Sequence, residues 1–195
     1  MKRLLLAAVA ALSLAACADA RQSPVEPAAP RLAVGDWWNI FGSMKPTDSI
    51  DATGGWEVAT RFKVSTEGAV VRMRFYRVTG ETGTNTLKLW SNSGVLLASK
   101  NVVSTGAGWK TVLLRTPFGA DDSVCLEPDT YYRVSVNTNT KQGKTFAYFT
   151  NNGPITNGPL TADYSYYGQP TGSMPTTGSG SAFFVDVTFE EGGCL

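Results

Sequence analysis

The sequence predicts one all-β domain, an antiparallel β-sandwich of the jelly-roll type. Hydrophobic and polar residues alternate in twos along several short segments, which is typical of strands with one buried face. Turn-forming residues separate these segments about every ten residues, as they do in sandwiches. The chain has 195 residues, of which 43% are hydrophobic, so it is long enough to bury one substantial core.

Four segments show the alternation most clearly, and one phase of each is apolar. The inward phases are Val71, Met73 and Phe75; Leu87 and Leu89; Tyr132, Val134 and Val136; and Phe183, Val185, Val187 and Phe189. Because the side chains of a strand point alternately to its two faces, we expect these residues to form the core. No segment of the predicted domain has the spacing of an amphipathic helix.

Turn residues predict how two parts of the chain are connected. Asn92, Ser93 and Gly94 lie between two apolar runs and predict a β-hairpin. Residues 150–181 are rich in Asn, Gly, Pro, Ser, Thr and Tyr, and we interpret them as a long loop. Long loops on a β-scaffold are common places for binding surfaces.

The N-terminus, MKRLLLAAVAALSLAAC, has two cations followed by an apolar run that is too short for the ~20 residues of a membrane span. Its end, Leu14-Ala15-Ala16-Cys17, resembles the bacterial lipoprotein signal, which implies cleavage before Cys17 and lipid on its sulfur and amine. The alternative is an ordinary signal peptide with an incidental cysteine. We therefore divide the chain into a signal peptide (1–16), a lipidated Cys17 with a Pro/Ala-rich tether (17–33) and a β-sandwich domain (34–195).

This N-terminus predicts where the protein is found. An acylated Cys17 would bind the lipid bilayer, so we expect an exported, membrane-anchored lipoprotein. In a Gram-negative cell, Ala18 after the cysteine favours the outer membrane or the cell surface by resemblance to other lipoproteins.

Two more cysteines remain if Cys17 carries lipid. Cys125 and Cys194 would then be a pair in an oxidising compartment, where disulfides form and persist. We expect them to be bonded; the alternative is two buried free thiols.

Composition excludes several classes of function. The chain has no histidine, so Ser-His-Asp catalysis, Cys-His catalysis and histidine-ligated metal sites are excluded. A net charge of +1 disfavours nucleic-acid binding. The adjacent carboxylates at 121–122 and 190–191 fall in a predicted loop and near the C-terminus, where we interpret them as solvated charge rather than as an acid and base pair. We therefore expect a protein that is not an enzyme.

Six motifs resemble, in their order and spacing, the bacterial domain of unknown function 4082 family. They are FGSMKP (41–46), RFYRVTGETGTNTLKLWSNSGVLLAS (74–99), GWKTVLL (108–114), TYYRVS (130–135), PLTA (159–162) and FFVDVTF (183–189). The resemblance covers about residues 38–190 and implies a small β-sandwich module of the kind appended to exported proteins, some of which act on carbohydrates. Family members often have histidine where this chain has Asn85, so a role that needs imidazole is lost.

The outward phase of the predicted strands carries a candidate ligand-binding face. Its members are the aromatic or cationic residues Arg72, Arg74, Tyr76, Lys88, Trp90, Tyr131 and Arg133. If their strands are neighbours, the aromatic rings could stack on sugars and the guanidinium groups could donate hydrogen bonds. The alternatives are a solvent face stiffened by cation–π contacts, or a covering loop that buries Trp90.

Two further sets of residues are candidates. Tyr164, Tyr166 and Tyr167 could form a ligand rim in the predicted loop, or could anchor the loop by packing their rings. Glu57 and Asp186, on the first and last clear strands, could contribute to a structural calcium site, as in several carbohydrate-binding sandwiches. Calcium needs 6–8 oxygen ligands, and the alternative is a hydrogen-bonded carboxylate at the sheet margin.

These observations together predict a non-catalytic binding module at the cell surface. We expect its ligand to be a glycan, its ligand-binding residues to include Tyr166 and Tyr167 with the outward face, and no cofactor apart from the calcium considered above. The alternative is a structural module of the cell envelope that interacts with another envelope protein and has no small ligand.

Overall fold

The computed structural model describes residues 36–102, 105–115 and 122–194, which belong to one compact unit, Val34–Leu195. The predicted signal peptide (1–16), the lipidated Cys17 and the tether (17–33) lie outside the described residues. Nowhere in the described part of the chain is there a helix with the length and apolar character that a membrane crossing requires.

The described residues form β-strands joined by turns, with one short helix. The elements are β1 (Trp37–Asn39), β2 (Asp48–Asp51), β3 (Trp56–Val64), β4 (Gly68–Arg77), β5 (Asn85–Ser91), β6 (Leu96–Val102), β7 (Gly108–Leu113), β8 (Val124–Leu126), β9 (Tyr132–Thr138), β10 (Lys141–Lys144), α1 (Tyr148–Asn152), β11 (Ile155–Asn157), β12 (Leu160–Gly168), β13 (Thr177–Ser179) and β14 (Val185–Glu191). All of their pairings are antiparallel.

Two large sheets make the sandwich. The five-stranded sheet has the order β1-β14-β4-β7, with β8 also paired to β4. The seven-stranded sheet has the order β11-β12-β3-β9-β5-β6, with β13 also paired to β12, and β10 and β2 form a separate two-stranded sheet. The chain crosses repeatedly between the large sheets, and the first strand and the last lie side by side. This is a jelly-roll arrangement with β12 added beside β3, and it confirms the predicted fold class.

The apolar phases of the strands meet between the two large sheets, as the alternation predicts. Met73 and Phe75 of β4 and Val187 of β14 belong to the same buried cluster as Val134 of β9 and Phe62 of β3. The predicted hairpin is also confirmed, because β5 and β6 pair around residues 92–95 and Gly94 has a φ of 89°.

The prediction of a long loop at residues 150–181 is wrong. This segment contains β12, which pairs with β3 along its whole length. Two of its inward positions are the small Ala162 and Ser165, and a register shift between Ala162 and Tyr164 interrupts the period of two. Hydrophobic alternation is therefore too weak in this strand to be recognised.

The predicted pairing of Cys125 with Cys194 is confirmed. The two residues form a disulfide with their Cα atoms 5.6 Å apart. Cys125 lies in β8, so the bond joins the segment that follows β14 to a strand paired with β4.

Candidate functional site

The structure separates the residues of the predicted binding face. Arg72, Arg74 and Tyr76 are on β4 of the five-stranded sheet, whereas Lys88 and Trp90 are on β5 of the seven-stranded sheet. Because the apolar phases of both sheets face each other, their outward phases point in opposite directions. The prediction of one continuous aromatic and cationic patch is therefore wrong, since alternation specifies a face but not the sheet.

On the outward face of the five-stranded sheet, Arg74 supports a covering segment. Its Nε and Nη2 donate hydrogen bonds to Asp186 Oδ2 at 3.0 and 2.6 Å, and Nη2 also donates to the carbonyl of Gly42. The backbone N–H groups of Ile40 and Phe41 donate to the same carboxylate. This arrangement holds residues 40–42 against the sheet, so Arg74 has a structural role in the fold.

The neighbours of Arg74 are also engaged within the protein. The Arg74 guanidinium lies 4.1 Å from the ring centroid of Trp109, and Tyr76 meets the same indole edge-on at 5.7 Å. The Arg72 guanidinium lies 4.3 Å from the ring centroid of Trp37. These contacts match the alternative of a face stiffened by cation–π contacts.

On the outward face of the seven-stranded sheet, Trp90 is buried. Only 5% of the residue is exposed, and its Nε1 donates to Ser135 Oγ at 2.8 Å. The prediction that Trp90 offers an exposed ring for stacking is wrong. The cause is the segment 169–175, which is held over this face by hydrogen bonds from Gly172 N to Glu57 and from Arg133 Nη1 to the carbonyl of Pro175.

Glu57 and Asp186 do not form a shared calcium site. Glu57 lies on β3 and Asp186 on β14, on opposite outward faces of the sandwich. Glu57 accepts from Lys88 Nζ at 3.0 Å and from Ser135, while Asp186 pairs with Arg74. Both residues are 0% exposed, and the described residues contain no group of three or more side chains suited to a metal ion.

Tyr131, Tyr164 and Tyr166 lie on the part of the outward face that segment 169–175 leaves uncovered. Arg61 is central to this group: its guanidinium binds both oxygens of Asp163 at 2.9 Å and lies 4.5 Å from the ring centroid of Tyr131. The Tyr131 hydroxyl donates to the same carboxylate. The Arg133 guanidinium stacks on Tyr166 at 3.8 Å. The Arg61 guanidinium and the Asp163 carboxylate are thus paired within the protein, and Tyr166 accepts a hydrogen bond from Arg61 and stacks on Arg133, which matches the anchoring alternative for Tyr166.

Tyr167, the next residue, points to the other face of β12 and lines a cleft of about 340 Å³. We call this site the aromatic cleft. Its lining residues are Ile50, Asp51, Trp56, Gln142, Lys144, Tyr167, Gly178, Ser179 and Phe183. They come from β2, β3, β10, β12, β13 and the segment before β14, so the fold assembles the cleft from distant parts of the chain.

Three aromatic rings form the apolar part of the aromatic cleft. The ring centroids of Trp56 and Tyr167 are 5.8 Å apart, and those of Tyr167 and Phe183 are 6.3 Å apart in an edge-on arrangement. Phe183 is buried, whereas Trp56 and Tyr167 are half-buried. Half-buried rings leave part of their surface for contact with a ligand.

The polar part of the aromatic cleft comes mainly from β10. Gln142 is only 5% exposed, and its Nε2 has no hydrogen-bond partner in the described part of the protein. Lys144, two residues along, has its Nζ 4.1 Å from the ring centroid of Phe146, and burial lowers the pKa of its ammonium group. An unpaired buried donor is costly, so the Gln142 amide marks a place where a ligand oxygen would be stabilised.

Glu81 fixes the start of β10 and thereby positions Gln142. Its carboxylate accepts hydrogen bonds from the backbone N–H groups of Asn139, Thr140 and Lys141, and from the Asn85 side chain. On the other side of β10, a Cβ at Gly143 would approach Pro46 to 2.8 Å, so only glycine allows this close packing. These contacts direct Gln142 and Lys144 into the cleft.

Sequence reasoning found only Tyr167 among the residues of the aromatic cleft. Phe183 was expected in the core, and β10, with the sequence KQGK, has no hydrophobic alternation from which a strand could be predicted. One feature of the sequence could have indicated the cleft: Trp56 follows a turn rich in glycine, and a large ring at the end of a strand can line a cleft.

The comparisons with known proteins agree with the resemblance in the sequence. A family model described as Domain of unknown function (DUF4082) matches residues 43–185, a range that contains every residue lining the aromatic cleft. No curated protein matches the chain. Asn85, which stands where the resemblance implies a histidine, donates to Glu81 and to the carbonyl of Asn137, so it belongs to the network that supports β10.

Proposed function

This chain belongs to the DUF4082 family of domains of unknown function, and we propose that it is a non-catalytic glycan-binding module at the cell surface. The observation that carries the proposal is the aromatic cleft, where Trp56 and Tyr167 lie beside the unpartnered amide of Gln142. The lipid anchor at Cys17, expected from the sequence, is part of this proposal.

The chemistry of the aromatic cleft suits a sugar. A pyranose ring presents apolar C–H groups on its faces and hydroxyl groups around its rim. The rings of Trp56 and Tyr167 can contact such a face, while Gln142 Nε2 can donate to a hydroxyl oxygen. Pairing a buried unpaired donor with a ligand oxygen removes the cost of leaving that donor unsatisfied, which favours binding.

The carboxylates around the aromatic cleft support a non-catalytic role. Asp51 is the sole carboxylate among the described residues that line it, and its side chain is 68% exposed. Most glycosidases use two carboxyl groups on opposite sides of the scissile bond. We therefore propose binding without hydrolysis.

Truncation of Trp56 tests this function. In Trp56→Ala, we expect affinity for the bound glycan to fall about 10-fold or more, because the ring supplies contact area at the centre of the site. The full chain, purified in mild detergent, would first be screened on a glycan array and then titrated with the best ligand. Trp37→Ala is the matched control, since Trp37 is an exposed indole on the five-stranded sheet.

The control should bind as tightly as the parent, and thermal unfolding should show that both variants remain folded. A parent chain that binds no glycan on the array would contradict the proposal. So would equal affinities for the two tryptophan variants when both are folded.

A second candidate function is protein interaction in the cell envelope, and one edge of the fold favours it. Among the described strands, β6 pairs with β5 alone, so it is an edge strand of the seven-stranded sheet. Val95 just before it and Leu96 within it are 58% and 49% exposed. Exposed apolar edges are places where another chain can add contacts.

A further inference from the structure

Lys144 has no partner for its charge in the described part of the protein. Its Nζ makes no hydrogen bond or ion pair there, and it lies 4.1 Å from the ring centroid of Phe146 and 5.7 Å from that of Phe183. Burial lowers the pKa of the ammonium group, and no carboxylate opposes that effect. Asp48 lies opposite Lys144 in the β10–β2 pair, but the two side chains form no ion pair, so a half-buried cation without a salt-bridge partner is present at the aromatic cleft.

The nearby carboxylate of Asp51 is already engaged. Its Oδ1 lies 3.8 Å from Lys141 Nζ and accepts a hydrogen bond from Thr53. The two lysines of β10 therefore differ: Lys141 forms an ion pair with Asp51, whereas Lys144 forms no ion pair with a described residue. Nothing among the described lining residues of the cleft neutralises Lys144.

Two nitrogen atoms without a hydrogen-bond partner, Gln142 Nε2 and Lys144 Nζ, belong to the described lining of the aromatic cleft, and both are donors. Gln142 and Lys144 are two residues apart on β10, so their side chains point to the same face of the strand. Gln142 Nε2 offers N–H groups, and Lys144 Nζ offers three N–H groups and a positive charge. A ligand that matches both must supply acceptors and a negative charge.

Resting on the proposed function, we infer that the aromatic cleft selects glycans built from uronic acids, and that Lys144 and Gln142 bind the sugar carboxylate. A carboxylate has two oxygens in one plane and can accept from both donors at once. The sugar ring that carries it would contact Trp56 and Tyr167. Lys144 then distinguishes acidic from neutral sugars, while the aromatic rings bind either.

Carboxyl reduction gives a direct test of this selectivity. The full chain in mild detergent would be titrated with oligomers from polygalacturonate, alginate and hyaluronan, each beside its carboxyl-reduced counterpart. We expect at least one acidic oligomer to bind about 10-fold more tightly than its reduced form, the scale of one charge-assisted hydrogen bond. Added salt should weaken binding of the acidic form more than binding of the reduced form.

Lys144→Met should abolish this preference, so that the acidic oligomer binds no more tightly than its reduced form, whereas Lys144→Arg should retain it. Lys100→Met is the matched control, because Lys100 lies on β6 at the far edge of the seven-stranded sheet from β12. Equal binding of acidic and reduced oligomers, unchanged in Lys144→Met, would overturn the inference and leave the proposed function intact. Failure to bind these oligomers, with binding to neutral glycans on the array, would overturn it in the same way. Failure to bind any glycan would overturn both.

Discussion

Replacing Lys88 by methionine should lower the free energy of unfolding by about 3–5 kcal/mol, the usual cost of removing one partner from a buried ion pair. Lys88 Nζ lies 3.0 Å from Glu57 Oε2, and the side chains of the two residues are 9% and 0% exposed. Without the ammonium group, Glu57 would remain as a buried carboxylate under segment 169–175. Hydrogen bonds from Ser135 and Gly172 would compensate it only in part.

Chemical denaturation of the parent and the variant measures this effect. Lys100→Met is a suitable control, because Lys100 pairs with Asp122 at an exposed position where an ion pair contributes about 1 kcal/mol or less. Neutralising the partner as well, in Glu57→Gln with Lys88→Met, should recover part of the loss. A Lys88→Met variant as stable as Lys100→Met would contradict this prediction, because the Lys88–Glu57 ion pair would then contribute no more to stability than an exposed pair.

Glu81→Ala should cost about 3 kcal/mol or more, since hydrogen bonds to a charged group contribute roughly 1.5–3 kcal/mol each and several are lost together. Glu81 is 6% exposed, and its removal leaves the N–H groups of Asn139, Thr140 and Lys141 without an acceptor. Because Lys141 begins β10, we also expect the variant to weaken ligand binding in the aromatic cleft. Glu67→Ala, at an exposed position, should leave stability nearly unchanged.

The contribution of Glu81 should also depend on pH. Burial raises the pKa of this carboxyl, but the hydrogen bonds that it accepts outweigh burial and hold the pKa below its usual value of 4.5. A carboxyl whose pKa is lower in the folded state stabilises the fold above its unfolded-state pKa. The stability difference between the parent and Glu81→Gln should therefore be constant above about pH 4.5 and shrink as the pH falls further. A difference that grows under acid would contradict this.

Alternation in the sequence was sufficient to predict the faces of the strands but not what covers them. In β4, Val71, Met73 and Phe75 contrast with two arginines and a tyrosine, so the phase is plain. Trp90 is on the outward phase as predicted, yet it is buried because segment 169–175 returns over that face. Such a contact depends on residues far apart in the chain, which local periodicity does not report.

The aromatic cleft was missed for a related reason. Its polar residues lie on β10, a strand of four residues whose position depends on hydrogen bonds to Glu81 rather than on an apolar face. A period of two also does not indicate which sheet a strand joins. The strands of Arg74 and Trp90 could therefore not be assigned to different sheets from the sequence. The disulfide could be predicted, because Cys125 and Cys194 are the two cysteines that remain when Cys17 is assigned to lipidation.

Affinity measured for two adjacent tyrosine variants tests the proposed role of the aromatic cleft most directly. Tyr166 and Tyr167 are neighbours on β12, but Tyr167 lines the cleft and Tyr166 stacks on Arg133 on the outward face. With the best glycan ligand and folded variants, Tyr167→Ala should bind about 10-fold more weakly than the parent, whereas Tyr166→Ala should bind equally well. Loss of affinity in Tyr166→Ala with full affinity in Tyr167→Ala would contradict the account, because the ligand would then occupy the outward face instead of the cleft.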